Sequence, residues 1–281
     1  VSRPNAAAAA SRSVSESIVG RLADVGTRAL FGVPGGGSNL DLIEAAGRAG
    51  LPFVLTTTEC GGALAAMAQA EVTGQPGACL TTLGPGASSV TNGVACAFLD
   101  RAPLLVFTDA QAGGAFEHQQ FDQRALFAPI TTWSGRLTAD CAPEIIEHAI
   151  AAAIGPPPGP VHLDCTDQMA GAVAGVGSGN RPHPAAPARS HHSNRRRFDA
   201  VVSGARKPLA IVGLGARRSA DAAAVRALVE RRQLPALVTY KAKGVVPDQH
   251  PCFAGVFTHA TIERPLIEQS DLIIGIGLDP V

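Results

Sequence analysis

Short apolar, partly β-branched runs separated by Ala-rich segments fill the first half of this sequence, and no other feature restricts the fold so tightly. "ALFGV" (29–33), "PFVLTT" (52–57), "GACLTT" (77–82), "PLLVFT" (103–108) and "PVHLDC" (160–165) are nearly continuous in hydrophobicity, as strands buried on both faces are. Helix-like segments occupy the first three gaps between them. Parallel neighbours need a crossover connection, usually a helix, so this alternation predicts an α/β fold: a parallel sheet flanked by helices.

Helix boundaries agree with that reading. Ser13 and Glu16 have capping-box spacing, and Ile18, Val19, Leu22 and Val25 then recur on one face of a helix that stops near Gly26. "PEIIEHAIAAAI" (143–154) begins with Pro and ends before "GPPPGP", which cannot continue a helix. Between 171 and 206 the chain turns to Gly, Pro, Ser, His and Arg, as an extended surface connector would. The βα rhythm then restarts with "PLAIVGLG" (208–215), a helix over 219–232, "PALVTY" (235–240), a helix near 261–269 and "DLIIGIG" (271–277). We therefore expect a first domain over 13–170, a linker over 171–206 and a second, Rossmann-like α/β domain over 207–281. That second domain reads as incomplete, because its last strand has no following helix.

Charge excludes several partners. Lys plus Arg and Asp plus Glu each number 23, so no net field recommends nucleic acid or an anionic membrane. The apolar fraction is 46%, enough for a buried sheet, yet no run approaches the roughly 20 apolar residues of a membrane span. Small-molecule chemistry is the default. The six cysteines lack any Cys-x-x-Cys pair and mostly lie in apolar segments, which fits a reducing cytoplasm.

Two turns, "GVPGGGSN" and "LGPGASS", follow a strand and precede a helix, at the carboxyl edge where open α/β sheets bind ligands. The first lacks the Lys-Ser/Thr ending of a P-loop, so a tight glycine turn is the simpler reading. "GLGARRSA" (213–220) begins like a dinucleotide fingerprint but carries Ser219 near the third glycine position, which leaves a nicotinamide or flavin module as a weaker alternative. His191 and His192, beside Arg195 to Arg197, lie in the connector without acidic or Cys partners at ligand spacing, so no metal ligand set is assigned. His118, in the loop after the fourth strand, points to the same edge as the turns, with a surface polar loop as the alternative reading.

Glu59 is the candidate acid. It ends an apolar run, opens a small-residue helix and has no basic residue within ten positions. One reading is a first-turn carboxylate that complements the helix dipole. The other is a general acid/base, since apolar walls favour the neutral form of a carboxyl and let it share a proton with a heteroaromatic nitrogen.

"FGVPGG", "TEC…TGQPG", "LGPGASS", "AFLDRAPLLVFT", "KPLAIVGLGA" and "YKAKGVVPDQHP" occur in the order of the thiamine-diphosphate-dependent 2-oxoacid enzymes, and the chain resembles that family of acetolactate synthases, pyruvate oxidases and benzoylformate decarboxylases. The resemblance covers ~13–170 as the pyrimidine-binding domain and ~200–281 as the start of the central domain, ordinary domain sizes. It implies that Glu59 bonds N1′ of the aminopyrimidine and favours the imino tautomer that takes the thiazolium C2 proton. It further implies that Pro34 and Gly35 lie beside the pyrimidine, that Gly84, Pro85, Gly86 and Ser88 let backbone approach it, and that Phe116, His118 and Gln119 line the substrate entrance. The implied activity is decarboxylation or carboligation of a small 2-oxo acid.

This sequence departs from the family pattern at several points. Thr58 stands where a His is usual, "MAQAEVTG" where an Asp-Gly-Tyr-Ala-Arg run is usual, "GPGASS" for Gly-Pro-Gly-Ala-Thr-Asn and "FTDAQ" for a Thr-Gly-Gln ending. The Gly-Asp-Gly…Asn motif that holds Mg²⁺ and the diphosphate is not within these residues. The resemblance then implies a further diphosphate-binding segment, in cis or in trans, and a homodimer or homotetramer whose sites join two subunits. FAD is compatible with the family and not demanded. A non-catalytic paralogue or fragment serving as a subunit-interaction module is the alternative.

Overall fold

The computed structural model of the chain describes residues 13–111, 118–138, 141–166 and 192–279. Two compact units divide the chain, Val1–Ala186 and Pro187–Val281.

In the first unit α1 (Val14–Asp24) starts with the foreseen capping box: Ser13 Oγ accepts from Glu16 N, and Glu16 accepts from Ser13 N. There follow β1 (Leu30–Val33), α2 (Ser38–Arg48), β2 (Phe53–Leu55), α3 (Glu59–Thr73), β3 (Gly77–Thr81), a short α4 (Pro85–Ser89), α5 (Thr91–Leu99), β4 (Leu104–Ala110), a short α6 (Gln123–Phe127), β5 (Trp133–Leu137), α7 (Ala142–Ile154) and β6 (Pro160–Thr166). The six strands pair in the order β2-β1-β3-β4-β6-β5, all parallel. Side chains alternate across the strands and build a core on each face of the sheet. On one face Leu30, Leu80, Leu105 and Leu163 meet Ile18, Leu42 and Ile146 of α1, α2 and α7. On the other, Cys79, Leu104 and Val106 meet Ala63, Ala66 and Val94 of α3 and α5. Each buried Leu or Ile contributes about 1.5–3 kcal/mol relative to exposure.

Small residues bring α3 against the sheet. A Cβ on Gly62 would lie 2.9 Å from Gly32 Cα, and a Cβ on Gly32, whose φ is +147°, would lie 1.9 Å from the Leu80 carbonyl oxygen. Only glycine fits at either place, so β1, β3 and α3 are spaced by bare backbone.

The second unit opens with α8 (His192–Gly204) and continues with β7 (Pro208–Val212), α9 (Ser219–Arg232), β8 (Ala236–Thr239), β9 (Phe253–Phe257), α10 (Arg264–Gln269) and β10 (Leu272–Ile276). Its strands pair in the order β10-β7-β8-β9, again all parallel, over a core that includes Val212, Val225, Val229 and Val238. The α8 helix corrects the expectation of an extended connector as far as residue 206. Polar composition misled that reading: Arg195, Arg196 and Arg197 are on the exposed surface, while Val202 is buried. Arg232 at the end of α9 bonds Asp199 (2.6 Å) and Ser203 (3.0 Å), fastening the helix.

β5 and β9 were not foreseen. No helix among the described residues is long and apolar enough to cross a membrane.

Candidate functional site

Strand order places the candidate site. The chain leaves β1 for β2 on one side and then jumps over β1 to β3, so the order reverses between β1 and β3. Open parallel sheets bind ligands at such a switch point, outside the carboxyl ends of the strands. Pro34 and Gly35 follow β1, Glu59 follows β2, and Gly84 to Ser88 follow β3.

Glu59 is the first residue of α3. Thr58 caps the helix, its Oγ1 accepting from Gly61 N at 3.1 Å, and so fixes the backbone from which Glu59 projects. The carboxylate is half-buried, and Ser89 Oγ donates to its Oε2 at 2.8 Å. No cation pairs with it among the described residues. The apolar walls of the sequence argument are only partly present in this single chain, where Leu55 beside it is 68% exposed and Leu64 on α3 is 38% exposed.

The turn after β3 is a one-turn helix capped by Gly84, whose φ is +61°. A Cβ there would meet the Gln119 carbonyl oxygen at 2.2 Å, so Gly84 makes room for the loop that carries Gln119. Pro85 and Ser88 are exposed, Gly86 is buried, and Ser88 Oγ donates to the Pro85 carbonyl at 2.8 Å. Pro34 and Gly35 are half-buried. His118 is exposed, and Gln119 (φ +77°) is exposed beside Gly84. Phe116 lies outside the described residues.

A buried polar network beneath this edge was not anticipated. Asp109, at the end of β4, accepts from Ser38 Oγ (2.5 Å), Asn39 N (3.1 Å) and Asn39 Nδ2 (2.9 Å), all through Oδ1. It thereby caps α2, whose own N-cap Gly37 offers no side chain. Burial pushes the Asp109 carboxyl up from 3.8 to about 6, against the hydrogen bonds from Ser38 and Asn39 that draw it down. Beside it, Thr108 Oγ1 meets His162 Nε2 (2.9 Å) and donates to Asp164 Oδ1 (3.0 Å), while Ser134 Oγ meets His162 Nδ1 (2.9 Å). Burial works to raise the Asp164 carboxyl, but the hydrogen bond and charge of His162, together with Gln123 and Thr108, outweigh it and hold Asp164 below the usual range.

Gln123 joins the parts. Its Nε2 lies 2.8 Å from Asp164 Oδ1 and 3.1 Å from the Asp109 carbonyl oxygen, and its Oε1 accepts from Gly84 N at 2.8 Å. An open cavity of about 810 Å³ adjoins it, lined in part by Gln111, Gln119, Gln120, Arg136 and Asp164.

In the second unit the glycines of 213–215 serve packing. Gly213 N donates to the Ile276 carbonyl and Gly215 N to the Gly277 carbonyl, each at 2.8 Å, so both N–H groups are engaged within the fold. Among the described residues no group of three or more His, Cys, Asp or Glu is placed to hold a metal ion.

Residues 12–126 match the family model described as the thiamine pyrophosphate enzyme N-terminal TPP binding domain, and residues 198–280 match that of the thiamine pyrophosphate enzyme central domain. The chain is 32% identical over 276 residues to the probable 2-ketoarginine decarboxylase AruI of Pseudomonas aeruginosa, covering 94% of this chain and 48% of that protein. It is 31% identical over 276 residues to the acetolactate synthase large subunit of Lactococcus lactis (94% and 47% covered). Identity to the acetolactate synthase isozyme 1 large subunit of Escherichia coli is 29% over 272 residues (94% and 48% covered). The chain thus spans about half the length of the curated relatives it matches. With both models matched in order, and with the parallel sheets they require, the chain belongs to the thiamine pyrophosphate enzymes and carries their N-terminal cofactor-binding domain and part of their central domain.

Proposed function

We propose that this chain supplies the aminopyrimidine side of a thiamine-diphosphate site in a decarboxylase or carboligase of small 2-oxo acids, of the acetolactate synthase kind. The observation that carries the reading is Glu59 at the switch-point edge, bonded by Ser89 and with no cation paired to it among the described residues. The residues present fit the pyrimidine half of the cofactor: a carboxyl able to hold or give a proton at a ring nitrogen, set at the same sheet edge as two glycine turns that pack closely on the protein, Gly35 against Thr82 and Asp109 and Gly84 against Gln119. The cofactor, when bound, provides the electron sink for cleavage beside a carbonyl. Glu59 manages a proton at one oxygen, Ser89 orients the other, and the Gly35 and Gly84 turns lie at the same edge. Mg²⁺ and the diphosphate would be held by residues outside this chain's described set. FAD draws no support from the engaged N–H groups of Gly213 and Gly215.

Leu55 and Leu64, exposed on the elements that carry Glu59, support closure of the site by a second subunit in a homodimer or homotetramer. No feature recommends nucleic acid or membrane partners, and the free thiols suit a reducing cytoplasm. The similarity to a probable 2-ketoarginine decarboxylase makes a 2-oxo acid with a polar chain a candidate substrate beside pyruvate. The test is CO₂ release by the complete enzyme with thiamine diphosphate and Mg²⁺, comparing pyruvate with an ω-guanidino 2-oxo acid. No cofactor-dependent release from any 2-oxo acid would sink the enzyme reading and favour a subunit-interaction module.

A further inference from the structure

Gly35 N donates to Asn39 Oδ1 (3.1 Å), Asn39 Nδ2 donates to Asp109 Oδ1 (2.9 Å), Gln123 Nε2 donates to the Asp109 carbonyl oxygen (3.1 Å), and Gly84 N donates to Gln123 Oε1 (2.8 Å). These bonds form an unbroken path from one glycine turn to the other. It crosses the gap between β1 and β4 on Asn39 and Asp109, and the gap between β4 and the Gly84 turn on Gln123. Asn39, Asp109 and Gln123 are buried, at 0%, 6% and 6% exposure.

We propose that Asn39, Asp109 and Gln123 are positioning residues that set the Gly35 and Gly84 turns as one unit. This rests on the reading of those turns as the pyrimidine approach. Among the described residues neither the Gly35 nor the Gly84 N–H has a backbone acceptor, and a buried amide that loses its acceptor is left with its full desolvation cost. Each link therefore has one low-energy arrangement, and Asp109 joins the two halves through its side chain on one side and its carbonyl on the other. Asp164 of β6 accepts from Gln123 Nε2 at 2.8 Å, and Asp164 is itself approached by Arg136 of β5 (3.5 Å) and His162 of β6 (3.3 Å).

The experiment follows amide hydrogen exchange in the full chain without cofactor, and then thiamine-diphosphate affinity in the complete enzyme. Asn39→Asp keeps the acceptor for Gly35 but sets two carboxylates together, and it should raise exchange about tenfold or more at Gly84 as well as at Gly35. Gln123→Met, from the other end, should raise exchange at both turns. Asp109→Asn keeps an Oδ1 acceptor for Ser38 Oγ, Asn39 N and Asn39 Nδ2, and should leave protection at both turns near that of the wild-type chain. Cofactor affinity should fall about tenfold in Asn39→Asp and in Gln123→Met, and by little more when those two are combined, because coupled residues are not additive. Exchange confined to the mutated turn, or affinity losses that multiply, would overturn the coupling. Coupled exchange with unchanged thiamine-diphosphate affinity would keep the coupling and overturn the pyrimidine reading on which it rests.

Discussion

Ser89 Oγ donates to Glu59 Oε2 across 2.8 Å, so the last residue of α4 orients the first residue of α3. One carboxylate oxygen is thus committed within the protein and the other is left for chemistry. Glu59→Gln in the complete enzyme should lower turnover by about 10²–10⁴-fold, the usual worth of a positioned proton-transfer group. Stability should fall by no more than about 1 kcal/mol, the dipole contribution of a first-turn acid. Ser89→Ala should lower turnover only about two- to tenfold, one net hydrogen bond. Steady-state rates with urea unfolding check both, and undiminished turnover in Glu59→Gln would remove the role assigned to it.

Asp109 makes stability depend on pH with a definite sign. Its folded value of about 6 exceeds the ordinary 3.8, so the folded state holds its proton more tightly than the unfolded chain does. Stability from this group is full below pH ~4 and is lost as pH rises through ~6, a penalty of about 3 kcal/mol at 1.36 kcal/mol per pH unit. Asp109→Asn removes the titration. Its stability relative to the wild-type chain should therefore improve by about 2–3 kcal/mol between pH 4 and pH 8, measured by urea unfolding at each pH; a constant difference would refute the assignment.

Two glycines make a matched test of packing. Gly62→Ala drives a methyl to 2.9 Å from Gly32 Cα and should cost about 1–3 kcal/mol while displacing Glu59. Gly47→Ala, in α2 with nothing within 4 Å, should stabilise by about 0.5–1 kcal/mol through helix propensity alone. Thermal denaturation of the pair reads the opposite signs.

Thr108 connects three buried partners. Thr108→Val keeps the shape but deprives His162, Asp164 and Gln123 of a hydroxyl, and should cost about 1–3 kcal/mol in urea unfolding. A neutral result would mean that the network closes without it.

The elements legible in the sequence were those whose signal is local. Ile18, Val19 and Leu22 share a helical face, "PLLVFT" is apolar throughout, and both turns carry glycines at their ends. Strands β5 ("WSGRL") and β9 ("FAGVF") escaped because each mixes glycine with few β-branched residues and is an edge strand, held by a single neighbour. α8 escaped because its polar residues face water and its anchor Val202 stands nearly alone. In the site, Glu59 stood out as an isolated charge. Asp109 and Gln123 did not, since their partners lie 70 and 39 residues away in sequence and only the sheet brings them together.

The contact of Gly62 on Gly32 has a consequence for how such a chain can vary. Three residues along α3 from Glu59, main-chain atoms rest on main-chain atoms, with no side chain between them to be enlarged, trimmed or tilted. At that point the height of α3 above the sheet does not depend on which side chains the core carries. Diversification toward new substrates is left to the loops that overhang the strand ends, which can change in length and chemistry while the acid stays where it is.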